Sequence, residues 1–239
     1  MTDAQPSSAQ YCSNLVRARD DDRWLAAGYA PQPLQRILLA LYAMHAELRR
    51  VPQAVSEPPL GEIRLQWWRD AIGEIRAGKP SRAHPVVEEI AAAGLADQKY
   101  EALLERAIDA NARPLYGASF SSVEELETWC ADADGAIDAV GVLALQGSEA
   151  LADTARRAGA GFAMAREGCT IAPQLGDISS ARAMQIARAE ARALNDAPAS
   201  VSPAILHLSL TGKYARGPGA LFAATKRLRM FRAMAFGAY

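Results

Sequence analysis

The 239-residue sequence contains few of the residues that carry metal or redox chemistry. It has three cysteines and three histidines, and neither type shows the spacing of a metal site. Cys12, Cys130 and Cys169 are far apart, so we expect unpaired, mostly buried thiols in a reducing compartment. We expect the three histidines to pack or face solvent rather than bind a metal. They are His45, His84 and His207.

A strong charge of one sign is also missing. Lysine and arginine together number 26 and aspartate and glutamate 27, which gives a net charge of -1 and argues against nucleic-acid binding. The sequence has no phosphate loop, no GxSxG and no HExxH motif, so the common hydrolase and zinc signatures are absent. No signal peptide or membrane-length apolar run is present. These absences favour a cytoplasmic protein with a disordered start over residues 1–10.

Helical periodicity is present in almost every segment, and β-branched residues are sparse. We therefore predict an all-α chain that forms a single helical domain over residues 11–239. The first helix is expected from Gln10 to Ala27. A second begins at Pro31 and Pro33, because proline suits the first helical turn. Its buried face is predicted to hold Leu34, Ile37, Leu38, Leu41, Met44 and Leu48.

Later helices are marked by prolines and by one capping box. The stretch LGEIRLQWWRDAIGEIRAG follows two prolines and predicts a helix. The expected buried face of this helix holds Leu60, Ile63, Trp67, Ala71 and Ile75. Ser122 and Glu125 have capping-box spacing, which predicts the start of an apolar central helix. Further helices are predicted after Pro85, over Lys99–Arg113, Glu149–Ala165 and Ser179–Leu194, after Pro203 and after Pro218.

Two amphipathic stretches have more than one interpretation. Trp67 and Trp68 lie on adjacent flanks of one helix, so both rings should not face the same neighbour. One ring is expected in the core, and the other is a candidate partner anchor because Trp and Arg dominate interface energetics. The basic helix at the end of the chain either packs its apolar strip on the domain or contacts a membrane through residues 220–236. The residues of this helix are Leu221, Lys226, Arg227, Leu228, Arg229, Phe231, Arg232 and Met234.

Seven short stretches, spread over most of the chain, follow one another in an order that matches a known family. They are Asp22 to Trp24, LYA at Leu41 to Ala43, RLQWWRDAI, HPV at His84 to Val86, IDANARPLYGASFSSVEELETWC, AGAGFA at Ala158 to Ala163, and PAILHLSL. In this order they resemble the squalene and phytoene synthases, which join two prenyl diphosphates head to head. The resemblance implies the all-helical isoprenoid (terpenoid) synthase fold. Arg64, Gln66 and Trp68 most resemble the divergent branch of this family that includes an assembly factor of respiratory complex I.

The resemblance also locates where a metal site would be. In the resembling enzymes, two Asp-rich motifs on facing helices hold the Mg²⁺ that ionises the allylic diphosphate. The places of the first motif fall on Arg49, Arg50 and Gln53, and those of the second on Ala172 and Gly176. Arginine has only donors and cannot ligate a metal. We therefore expect a degenerate site with no catalytic residue, no metal and no cofactor, although arginine remains able to bind a diphosphate.

Three functions follow as hypotheses. The first is a non-catalytic protein that binds a protein partner, namely subunits of respiratory complex I, and lies in the cytoplasm or at the inner membrane surface. The second is an active prenyl transferase that uses Mg²⁺ with farnesyl or geranylgeranyl diphosphate, which requires at least four converging carboxylates. The third is an isoprenoid or lipid carrier with an open apolar pocket, which a filled interior would contradict. The candidate diphosphate or partner contacts are Arg49, Arg50, Arg64, Trp67 and Trp68.

Overall fold

The computed structural model describes residues 6–117, 119–217, 221–237 and 239. Within these ranges the chain is helical and has no strand, which confirms the all-α prediction. The helices are α1 (Ser8–Arg19), α2 (Asp21–Ala27), α3 (Gln32–Arg50), α4 (Pro58–Arg76), α5 (Pro85–Ala92), α6 (Glu101–Ala110), α7 (Val123–Cys130), α8 (Ala136–Ala144), α9 (Glu149–Ile171), α10 (Gly176–Asn195), α11 (Thr211–Tyr214) and α12 (Ala223–Phe236). None of these helices is both long and apolar enough to span a bilayer.

The first predicted helix is two helices, because Asp20 interrupts it. Asp20 leaves helical geometry with φ -147°, and its carboxylate accepts a hydrogen bond from the backbone N–H of Arg23. It therefore caps α2 and turns the chain toward the interior. Helix α1 begins at Ser8, earlier than the expected ordered boundary, because the Ser7 hydroxyl caps it. Residues 1–5 of the predicted disordered start lie outside the described residues.

Helix α3 crosses the centre of the molecule. Its predicted buried face is confirmed at Leu38, Leu41, Met44 and Leu48, each 0% exposed, whereas Leu34 and Ile37 near its start are only partly buried. From residue 38 to 46 every side chain is buried, which is typical of a helix enclosed on all sides. The centre of this helix therefore lies within the core.

The buried face of α4 agrees with the prediction at Ala71, and partly at Trp67 and Ile75, but differs at the start of the helix. Leu60 and Ile63 are exposed, and the helix packs instead through Leu65, Trp68 and Ile72. Spacing of three and four residues also holds for this alternative set, so the sequence pattern did not distinguish the two faces. The surrounding helices decide which face is buried.

Helices α7 and α8 form one continuous rod with a π-helical turn, Ala131–Gly135, between them. The predicted Ser122 cap starts this rod: the Glu125 N–H donates to the Ser122 hydroxyl at 3.2 Å. The Glu125 carboxylate accepts not from Ser122, as in a capping box, but from the N–H of Ser121, one residue earlier, at 2.7 Å. Every residue from 133 to 142 is buried, which confirms the prediction of a central helix. The π turn widens the helix where Asp134 faces the interior.

Helix α9 packs against this rod through glycines. A Cβ on Gly159 would lie 2.8 Å from Cα of Gly135 and 2.4 Å from Asp138 Oδ2, so only glycine permits the close approach. Helix α9 extends to Ile171, beyond the predicted end at Ala165, and α10 begins at Gly176.

The segment after α10 is mostly made of short turns. The helix predicted after Pro203 is a pair of 3-10 turns, Ser202–Ala204 and Leu206–Leu210, which leads into α11. Cys12 and Cys130 are free and buried as predicted, and the side chain of Cys169 lies outside the described residues.

Candidate functional site

The interior of the helical bundle holds a network of charged side chains centred on Arg23 of α2. This side chain is 0% exposed. Its guanidinium donates to Asp138 of α8 from Nε at 3.0 Å and from Nη2 at 2.9 Å, and Nη1 donates to Asp20 at 2.8 Å. Asp134 Oδ1 lies 3.5 Å from Nη1. One buried cation therefore joins three carboxylates from two parts of the chain.

Two histidines extend the network. His45 Nε2, on α3, lies 3.3 Å from Asp134 Oδ1, and His207 Nε2 lies 3.2 Å from Asp138 Oδ1. Both rings are buried, so the prediction of packed histidines holds for these two, although each also faces a carboxylate. The sequence analysis did not find this pairing. The available signal was the pair Asp134 and Asp138, four residues apart in a helical segment that is otherwise apolar from residue 133 to 144.

Aromatic side chains close the space around the guanidinium. Arg23 stacks 5.7 Å from the ring centroid of Tyr42 and 5.8 Å from that of Phe162. The Phe162 ring lies edge-on to His207 with centroids 5.0 Å apart. Arg23, Tyr42, Phe162 and His207 are each 0% exposed. Ion-paired and aromatic side chains therefore fill this part of the bundle.

A second layer of ion pairs lies between the first two helices and α9. Arg166 donates to Asp20 at 2.8 Å and to its neighbour Glu167 at 2.7 Å. Asp22 accepts from the Tyr214 hydroxyl at 2.8 Å and lies 2.8 Å from Lys226 Nζ of α12. The network therefore extends from the bundle centre to the last helix.

The surroundings keep these groups charged. Burial alone would raise the pKa of Asp20, but Arg166 and Arg23 outweigh it and hold this pKa below its usual value. Burial is likewise outweighed at Asp134, where Arg49, His45 and Arg23 hold the carboxyl pKa well below its usual range. Burial would lower the pKa of Arg23, yet Asp138, Asp20 and Asp134 raise it. The interior is thus a set of mutually stabilised ions.

The residues at the places that the resemblance gives to the first Asp-rich motif, Arg49, Arg50 and Gln53, line one cleft of about 280 Å³ at the end of α3. Arg49 forms an ion pair with Glu167 of α9, and its guanidinium lies 5.2 Å from the ring centroid of Trp129. Arg50 lies 3.9 Å from Glu47, and Gln53 lies in a short 3-10 turn after the helix. The rest of the lining includes Arg19, Asp20, His45 and Arg166.

The places that the resemblance gives to the second motif are held by Ala172 and Gly176. Ala172 is buried at the end of α9, and Gly176 begins α10. The prenyl transferase hypothesis requires at least four converging carboxylates, and Asp20, Asp22, Asp134 and Asp138 do converge, from positions outside both motifs. Each lies within 3.5 Å of a guanidinium, and within the described chain no cluster of three or more His, Cys, Asp or Glu side chains is arranged to hold a metal ion. The donor set does not fit a magnesium site.

A second pocket of about 290 Å³ lies between the last turn of α3 and α4, and Arg50 lines both this pocket and the cleft. We call it the tryptophan cup; its lining is Glu47, Arg50, Val51, Ala54, Arg64, Trp67, Trp68 and His84. Trp68 is 4% exposed and Trp67 is half-buried, as predicted for one core ring and one outer ring. The expectation that the two rings face different neighbours is wrong, because both lie 5.5 Å from the His84 ring. His84 N-caps α5 and thereby holds its ring in this position.

The charge in the tryptophan cup is mostly positive. Burial lowers the pKa of His84. Glu47 is the acid in the lining, and Arg50 contacts it only at 3.9 Å. Arg64 donates weakly to the carbonyl of Ala54 at 3.4 Å and has no carboxylate within 4 Å among the described residues. The cup thus presents two arginines beside aromatic rings.

The fold and sequence comparisons agree with this architecture. The family model of the squalene/phytoene synthases matches residues 16–206. The chain belongs to the squalene/phytoene synthase family. A solved structure of a dehydrosqualene synthase in complex with ligand superposes on it with a TM-score of 0.70, covering 96% of each chain at 11% identity. At that identity the similarity shows the isoprenoid synthase fold and nothing finer.

Curated relatives confirm the resemblance to the complex I assembly branch. A rat protein named NADH dehydrogenase (ubiquinone) complex I, assembly factor 6 is 34% identical over 124 residues, which cover 52% of this chain and 37% of the relative. Its mouse counterpart is 31% identical over 132 residues, 55% of this chain and 39% of the relative. The alignment thus spans less than half the length of these relatives.

Proposed function

We propose that this family member acts by binding a protein partner, in the assembly of respiratory complex I, and performs no prenyl transfer. The observation that carries the proposal is the Arg23-centred network. An active synthase needs interior space for a prenyl chain and free carboxylates for magnesium. Here guanidinium groups neutralise the interior carboxylates, and aromatic rings fill the space around Arg23. The names of the similar rat and mouse proteins support the assembly role.

The absence of transfer is tested directly. Purified protein is incubated with Mg²⁺ and either farnesyl or geranylgeranyl diphosphate, and released pyrophosphate is measured. We expect no release above the protein-free blank. Sustained release at enzyme-like rates would show that the protein is an active transferase.

The tryptophan cup is our candidate for the partner-binding site. Its volume of about 290 Å³ is at the lower end of the roughly 300–1,000 Å³ typical of small-molecule sites, so it suits one or two side chains better than a whole ligand. Trp and Arg are also the residues that most often dominate interface energies. The chemistry favours a partner segment that places an acidic group beside an apolar side chain.

The partner role is tested by affinity capture from detergent-solubilised membranes of the source cells. Tagged wild-type protein is compared with Arg64→Ala/Trp67→Ala and with a matched control, Ile178→Ala/Arg188→Ala, on exposed positions of α10. We expect wild type and control to retain complex I subunits and the cup variant to lose them. Failure of wild type to capture any such subunit contradicts the assembly role, and equal losses in both variants contradict the cup.

The filled interior contradicts a carrier that holds its ligand in the centre of the bundle. One observation still favours a second candidate, an isoprenoid carrier that binds its ligand in the tryptophan cup. Arg50 lines the tryptophan cup beside apolar surface, which is the arrangement a carrier requires at its pocket mouth. A carrier would gain thermal stability from farnesyl diphosphate without turnover, and Arg50→Ala/Arg64→Ala would lose that gain. We expect no shift in melting temperature for wild type. An arginine-dependent shift would favour the carrier over the partner-binding protein.

A further inference from the structure

The last helix, α12, exposes a concentration of large apolar side chains. Phe222 is 85% exposed, Phe236 75% and Leu228 62%, and Phe231 and Met234 are also largely in solvent. These five lie within a stretch of fifteen residues, and the other large apolar side chains exposed in the described chain are dispersed over α4, α10 and the turn after α6. Concentrated apolar exposure of this kind is typical of an interaction surface.

The orientation of α12 is set by its opposite face. Met230 and Ala233 are buried, and Lys226 reaches into the bundle with Nζ 2.8 Å from Asp21 and Asp22. Of the predicted apolar strip, Leu221 packs against the core, whereas Leu228, Phe231 and Met234 are turned outward, so the alternative in which the strip packs on the domain is wrong for these three. The ion pairs with α2 fix the helix so that its apolar side chains face away from the protein.

Arginines surround the exposed strip without acidic partners. Arg216, Arg227, Arg229 and Arg232 have no carboxylate within 4 Å among the described residues. Burial lowers the pKa of Arg229, and the nearby charges of Arg232 and Arg216 lower it further. Arg229 donates instead to the carbonyl of Ser209 at 3.0 Å. The surface therefore combines exposed apolar side chains with uncompensated positive charge.

We propose that this surface, Phe222 with the outward face of α12, binds the interface of a lipid bilayer that carries anionic headgroups. Phe and Leu side chains insert at the boundary of the acyl chains, while arginines contact phosphate groups, which is how amphipathic basic helices lie in the interface. A second copy of the chain is a poor occupant, because a symmetric contact would bring the arginines face to face. An acidic protein partner is the remaining alternative, and a lipid-only experiment distinguishes it.

The experiment is vesicle flotation with the purified full chain. We expect binding to phosphatidylcholine vesicles that contain phosphatidylglycerol, little binding to pure phosphatidylcholine, and weakening by salt. Arg227→Gln/Arg232→Gln should weaken binding about 25-fold, since each basic residue at an anionic surface contributes about fivefold. The matched control Lys79→Gln/Lys99→Gln, in loops near α4 and α6, removes the same charge and should bind like wild type.

The contribution of the exposed apolar side chains of α12 to lipid binding is tested separately. Leu228→Ser/Phe231→Ser should abolish flotation, whereas Ile178→Ser, which removes an exposed apolar side chain from α10, should not. All three sites are exposed, and a circular dichroism melt verifies folding. Absence of wild-type binding to anionic vesicles, or binding that survives both α12 variants, overturns the proposal and would leave an acidic protein as the occupant. Because only protein and lipid are present, the result is independent of the partner and transfer experiments.

Discussion

Replacing Arg23 by methionine is the sharpest perturbation of the interior network. Methionine keeps an unbranched side chain of similar length but removes the charge that Asp20, Asp134 and Asp138 share. Because Arg23 is 0% exposed, water cannot replace the guanidinium without opening the bundle. The variant therefore leaves three buried carboxylates short of a counter-ion.

The expected cost is a large part of the stability of the fold. Removing one partner of a buried ion pair costs about 3–5 kcal/mol, against a total unfolding free energy of about 5–15 kcal/mol for natural proteins. Urea unfolding followed by far-ultraviolet circular dichroism measures this loss. Arg188→Met, at an exposed position of α10, is the matched control and should change stability by less than about 0.5 kcal/mol. Adding Asp138→Asn to the Arg23 variant removes one of the unpaired carboxylates and should restore at least about 1 kcal/mol of the unfolding free energy.

The pH dependence of the unfolding free energy should also change in this variant, which a loss of packing alone would not produce. In the wild type, the lowered pKa values of Asp20 and Asp134 give stability that is present above the unfolded value of about 3.9 and is lost as pH falls below it. In the Arg23 variant, Asp20 keeps Arg166, and Asp134 keeps Arg49 and His45, so their pKa values rise only part of the way toward the unfolded value. We therefore expect the variant to lose less stability than the wild type as the pH falls below about 4. An Arg23→Met protein within about 1 kcal/mol of wild type, or one that loses as much stability in acid as wild type, refutes the reasoning.

Three further predictions test local features. Gly159→Ala should lower the free energy of unfolding in urea by about 2 kcal/mol, because its Cβ would lie 2.4 Å from Asp138 Oδ2, and this outweighs the better helix propensity of alanine. An unchanged urea midpoint would contradict the close approach of the two helices. Trp68→Ala should lower the free energy of unfolding by about 3–5 kcal/mol, and Trp67→Ala should lower it clearly less because Trp67 is only half-buried. An equal drop in melting temperature for the two variants would contradict the assigned faces. Ser122→Ala should cost about 1 kcal/mol through loss of the helix cap, with a neutral result showing that the cap does not stabilise the native state.

Local signals in the sequence predicted the helices well. Prolines at helix starts, the Ser122 cap and helical periodicity depend on neighbouring residues, so they are visible in the chain itself. The boundary at Asp20 was missed because a single aspartate inside a helical pattern does not show whether its side chain will cap the next helix. The face of α4 was assigned only in part, because two sets of residues satisfy the same spacing and only contact with the other helices chooses between them.

The candidate site was harder to predict than the fold. Arg23 and Asp138 are 115 positions apart, and His45 and His207 come from two further parts of the chain. Pairing between such distant residues leaves no periodic trace. The resemblance pointed to the right helices through Arg49 and Arg50, but it did not indicate which acids and cations meet between them.

The sequence by itself determined the helical class, the family and the residues at the compared metal positions, since these depend on composition, local spacing and the order of short motifs. The tertiary structure decided which charges are buried together and which apolar side chains stay outside. Arg23 becomes the centre of a network because α2, α3, α8 and α9 converge on it. The strip on α12 faces solvent because Lys226, on the opposite face, is held by α2. Both outcomes depend on how helices pack, and that packing is not encoded by any one segment.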